Sequence, residues 1–335
     1  MINRQLIRLK VVQLVYAYYG NKGRTLETAE KEFLFSLSKT YELYQSLLLL
    51  MVNITHIATR IVEVKQSRAR RLHQSEDIPT KFIQNRFIAQ LRDNEQLRAF
   101  QDKQTIVWSD YDTLLRKIYL QIIEQDFYKA YLKKKTNLYD EDRELWRKIY
   151  RNLLCDNEEL DEVFEDNGIY WNDDKAIVDT FVLKTIRYFD ERKGSLNPIL
   201  PQFKDSEDQV FAVNLFRTAI RNQDYFRQLI AAQTLNWELE RIATMDLIIM
   251  QIALAEITSY EHIPLSISIN EYVEIAKMYS TPRSGSYING MLDTIAKRLI
   301  AENKIAKVAD TPQDETALNA TGDNDADNEN PESQQ

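Results

Sequence analysis

Helix breakers are scarce in this chain: 7 Gly and 7 Pro punctuate 335 residues. β-Sandwiches and loop-built α/β folds turn often, and their tight turns draw on those two residues. A sequence so poor in both points to an all-α architecture. Hydrophobic residues make up 44%, enough to bury a proper core.

Periodicity supports that reading. Residues 3–19 are apolar almost all round, as in a helix buried among others, and Gly20 and Gly23 end the run. Leu34, Leu37, Tyr41, Tyr44, Leu48, Met51, Ala58 and Ile61 recur every three or four residues. They predict one helix, or two with a break, over about 26–72. Further helical segments fall at 105–134, 140–154 and 174–188. The stretch from Gly194 to Pro201 is the main cluster of breakers and suggests a boundary. An expanded N-terminal helical subdomain would then take 1–204, a C-terminal bundle 205–304 and an acidic tail 305–335. Asn236 reads as the N-cap of a helix from Trp237 to Ile257, with Glu238 and Glu240 in its first turn. Ser268 and Glu271 have the spacing of a capping box, and Ser284 can cap a last helix through Asn303.

The formal charge of −8 belongs to the end of the chain. From Ala309 onward there are eight acids and no base, which leaves residues 1–308 formally neutral. A nucleic-acid partner is therefore compatible with the acidic overall balance, and local clustering decides. Residues 309–335 lack a core pattern and are expected to be disordered. Cys155 is alone, and Arg4, Arg8 and Lys10 interrupt any signal-type apolar stretch. The longest unbroken apolar run, Leu47 to Val52, is far short of the ~20 residues a membrane span needs. A cytoplasmic protein without membrane attachment is expected. His56, His73, His262 and Cys155 have no metal-ligand spacing, and neither a phosphate loop nor a nucleophile elbow is present. No catalytic residue, metal or cofactor is assigned.

The C-terminal part carries Trp237–Arg241 (WELER), Met245–Glu256 (MDLIIMQIALAE), Ile263-Pro264, Ile269-Asn-Glu271, Glu274-Ile-Ala-Lys277 and Tyr287–Asp293 (YINGMLD). Together these motifs resemble the signature region of the NusB family of transcription antitermination factors. Near the start, Arg8 and Val12-Gln-Leu-Val-Tyr16 are similar to the family's opening helix. About 1–20 and 207–303 are covered, and 21–206 would be a large helical insertion. The resemblance implies an RNA-binding adaptor of two helical subdomains that pairs with the ribosomal protein NusE. That pair would bind the single-stranded boxA element of nascent ribosomal RNA leaders and help the elongation complex of RNA polymerase and other Nus factors pass terminators. The alternative is a helical protein-interaction scaffold without sequence-specific RNA readout.

Candidate contacts follow residue by residue. Arg4 and Arg8 lie one turn apart on a helix and would meet phosphates, with Lys10 as a supplement. Tyr279 and Tyr287 flank the loop Ser280–Ser286 and match aromatic positions that contact RNA in the family. Unpaired bases stack on such rings. Arg283, Ser284 and Ser286 would add polar contacts there. Tyr16, with Gln13 one turn before it, would face the ribosomal-protein partner. Asp246, in an otherwise apolar helix, should answer a buried amide or Arg241. Two more basic patches, Lys65–Arg71 and Tyr128–Lys135, sit in the region the resemblance leaves uncovered.

Overall fold

The computed structural model describes residues 1–21, 23–73, 78–171, 173–234 and 241–307. The expected cap Asn236, the helix start at Trp237 with Glu238 and Glu240, and the tail 309–335 lie outside the described residues. The fold is all-α. Its helices are α1 (Arg4–Gly20), α2 (Leu26–Arg71), α3 (Arg86–Asp93), α4 (Glu95–Gln101), α5 (Asp112–Glu124), α6 (Asp126–Lys133) and α7 (Tyr139–Ile149). They continue with α8 (Glu158–Asn167), α9 (Lys175–Tyr188), α10 (Ser206–Arg221), α11 (Gln223–Ala231), α12 (Thr244–Ser259), α13 (Leu265–Tyr279) and α14 (Ser284–Ala301). Strand-like pairing among the described residues is limited to one bridge between Ile2 and Phe203.

The chain forms two compact units. The first comprises Met1–Lys10 and Arg24–Val213, the second Val11–Gly23 and Asn214–Gln335. The breaker-rich stretch at Gly194 is thus internal to the first unit rather than a boundary. It makes a 3-10 turn, Glu191–Leu196, with Gly194 at φ 52, a left-handed conformation that a residue without Cβ adopts at low cost.

In the first unit α2 is the spine. It is one helix of 46 residues without a break, and Thr25 caps its start by accepting from the Thr28 amide. Phe33, Leu37, Thr40, Tyr44, Leu47, Met51, Ile54, Ala58 and Val62 repeat every three or four positions, and all are buried. That face packs on α3, α5 and α9. The helix has a stretch long and apolar enough to cross a membrane, yet 56% of that stretch is buried within the protein, as in a core helix. Helix α7 ends in a widened π-turn, Tyr150–Leu154. Lys175 captures carbonyls that this turn exposes, donating to Leu154 O at 3.1 Å and to Cys155 O, and it also pairs with Asp179 at 3.0 Å.

In the second unit α12 is buried nearly all round, from Ile248 to Ile257, with α11, α13 and α14 packed on it. The expected capping box is not formed. Helix α13 begins at Leu265, directly after Pro264, because proline is well suited to a helix start. Ser268 is therefore already inside the helix and buried, and its hydroxyl donates to Glu256 Oε1 at 2.8 Å. Tyr272 donates to the other oxygen of the same carboxylate at 3.0 Å.

Candidate nucleic-acid interface

The predicted RNA-contacting residues fall into both units, and each group has its own surroundings. In the second unit the organising group is Asp246, in the first turn of α12 and 6% exposed. Ser280 donates its hydroxyl to Asp246 Oδ1 at 2.5 Å, and Ser284 donates to Oδ2 at 2.9 Å. Thr281 lies 2.8 Å from the Ser284 hydroxyl. Since both serine protons go to the carboxylate, Thr281 is the donor in that pair. These bonds fix the α13–α14 loop to the start of α12. Ser284 is the first residue of α14, not its cap; no side chain caps that helix, because the serine hydroxyl is turned to Asp246. The partners of Asp246 are thus two hydroxyls, not the buried amide or Arg241 expected from the sequence.

The fixed loop holds Tyr287 at the surface, 39% exposed, with Arg283 and Ser286 exposed beside it. Partial burial and the nearby Asp246 charge raise the Tyr287 phenol above its ordinary value. A cavity of about 610 Å³ opens next to it, lined by Arg241, Asp246, Thr281, Arg283, Ser284 and Tyr287 among others. The surroundings offer what an unpaired base can use: a ring face, a guanidinium and hydroxyls. Tyr279 is half-buried, and its hydroxyl accepts from Gln13 Nε2 at 2.8 Å. Gln13 is itself half-exposed and, through this bond, steadies Tyr279. Tyr16, one turn further along α1, is 49% exposed.

In the first unit the expected phosphate contacts of α1 need correction. Lys10 is 1% exposed and its ammonium is held 2.8 Å from Asp174 Oδ2 and 2.7 Å from Tyr170 O. Burial lowers its pKa while Asp174 opposes that shift. Arg8 is 3% exposed, with its guanidinium 5.7 Å from the Phe211 ring centroid. Arg4 sits over the same ring at 5.1 Å and pairs with Asp208 at 3.4 Å, its side chain a third exposed. Of the three, only Arg4 reaches solvent. The sequence shows the spacing of these bases but not the acids and ring far along the chain that take them up. Asp246 as organiser was only half visible: an acid in so apolar a helix signals a buried acceptor, without naming its donors.

Comparison with known proteins places the matching part of the chain. The model of the NusB family matches residues 183–297, which contain Asp246 and the loop through Tyr287 but none of the α1 candidates. The transcription antitermination protein NusB of Salinibacter ruber is 33% identical over 132 residues, 38% of this chain and 82% of the relative. That of Koribacter versatilis is 39% identical over 103 residues, 30% of this chain and 70% of the relative. The solved structure of T. maritima NusB aligns with 47% of this chain and 95% of its own, at 25% identity and a TM-score of 0.29.

Proposed function

This chain belongs to the NusB family, and from that premise we propose that it is a cytoplasmic, non-catalytic antitermination adaptor that binds boxA-type single-stranded RNA together with the ribosomal protein NusE. Its place is the elongation complex, with RNA polymerase and other Nus factors. Relatives carrying the name transcription antitermination protein support the general function. The observation that carries the RNA reading is the anchored loop, where Asp246 orders Ser280 and Ser284 so that Tyr287 and Arg283 project beside an open cavity.

Stacking of one base on Tyr287 contributes about 1–3 kcal/mol. Tyr287→Ala should therefore weaken binding of a boxA RNA about 5- to 150-fold, measured by fluorescence anisotropy with NusE present. Wild-type protein that bound boxA and a scrambled RNA equally well under those conditions would sink the reading. The scaffold alternative draws on the engaged state of Arg8 and Lys10, which removes two cations from any RNA-facing surface. It predicts partner capture from lysate that RNase treatment leaves unchanged.

A further inference from the structure

The family model leaves residues 1–182 unmatched, and one feature there is built for polyanions. We propose that the basic end of α2 is a second contact surface for RNA phosphates. The proposal rests on the RNA reading above and adds a site to it.

Elimination within the first unit supports the choice. Lys10, Arg8 and Arg4 are taken up by Asp174, Phe211 and Asp208. The patch at 128–135 loses its aromatic component, since Tyr128 and Tyr131 are 6% and 4% exposed and Tyr131 donates to Asp142 at 2.5 Å. Its lysines are partly neutralised too: Lys129 pairs with Glu124 at 3.6 Å and Lys134 with Glu141 at 3.2 Å.

At the end of α2 the situation is reversed. Lys65, Arg68, Arg70 and Arg71 are all exposed. None of them has an acidic partner among the described residues; Arg71 donates only to its own helix, at Ser67 O, 3.4 Å. Arg68 and Arg71 lie one turn apart and share the outward face, with Lys65 one turn before Arg68. Like charges at that spacing repel. The helix dipole compensates such repulsion only within the last turn, which does not reach Lys65. An external anion relieves it. Three of the four are arginines, whose planar fork matches phosphate oxygens. Val64 and Leu72 are exposed nearby, 66% and 53%, but two isolated apolar residues do not make the continuous stripe that a membrane-surface helix needs.

The test uses the full chain with NusE, a boxA RNA and a scrambled one, titrated over a range of salt concentrations. The triple variant Lys65→Gln/Arg68→Gln/Arg71→Gln should lower the log–log salt slope by about 2, since each phosphate contact to a single strand contributes about 0.7. The preference for boxA over the scrambled RNA should persist, because phosphate contacts carry no sequence information. Arg68→Lys/Arg71→Lys should retain the slope. An unchanged slope in the triple variant, while wild type still prefers boxA, overturns this surface and leaves the RNA reading standing. Wild-type protein that binds neither RNA overturns both. Loss of binding to phosphatidylglycerol vesicles with an unaltered RNA slope would make the patch a membrane contact and also overturn the proposal.

Discussion

Lys10 and Asp174 show how costly a buried charge is and why it is kept. Removing two ions from water is expensive, and their attraction offsets that only with good geometry and further hydrogen bonds. Here Lys10 has Asp174 and the Tyr170 carbonyl, and Thr40 donates to the same Asp174 Oδ2 at 2.5 Å. Oδ1 of Asp174 is buried without a hydrogen-bond partner among the described residues. The pair is therefore incompletely satisfied. Asp174→Asn, which strands the ammonium, should destabilise the protein by about 3–5 kcal/mol. Lys10→Met/Asp174→Leu together should recover most of that loss in urea denaturation. A double variant as unstable as the single one would show that the carboxylate matters for something other than the pair. That Lys10 leaves the surface was not legible in its neighbours: a lysine among apolar residues on a helix fits an exposed position as well as a buried pair.

At the scale of elements, the long helix was readable because its apolar residues keep a regular period over 46 positions. The start of α13 was misread, because a serine three residues before an acid resembles a capping box whether or not the helix has already begun, while Ser284, expected as a cap, is the first residue of α14. The two serines concerned, Ser268 and Ser284, instead join helices. Ser268 and Tyr272 tie α13 to Glu256 of α12, and Ser284 with Ser280 ties the loop before α14 to Asp246. Removing the Asp246 acceptor leaves two hydroxyls without their charged partner. Asp246→Ala should cost about 1–3 kcal/mol of stability. It should also weaken boxA binding although Tyr287 is intact, which calorimetry and anisotropy on the same variant would check. Unaltered RNA affinity in a destabilised Asp246→Ala protein would detach the loop anchor from recognition.

For the whole molecule, charge distribution matters more than its sum. The eight acids beyond Ala309 carry the entire formal charge and have no base among them. A polyanionic tail competes with RNA for cations, and salt weakens that competition. Deleting residues 309–335 should raise RNA affinity at low ionic strength and have a smaller effect at high ionic strength, read from anisotropy titrations of the two proteins. The same electrostatics bears on strand direction at the loop. Asp246, with both oxygens occupied by serine hydroxyls, puts a fixed negative charge in the wall of the cavity beside Tyr287. Arg241 and Arg283 line the same cavity, so its wall sets two cations against one carboxylate whose oxygens are already occupied. A ribonucleotide entering there would have its phosphodiester drawn toward the two guanidinium groups and away from the serine-bound carboxylate. The placing of charge within the cavity wall thus gives the strand one preferred direction.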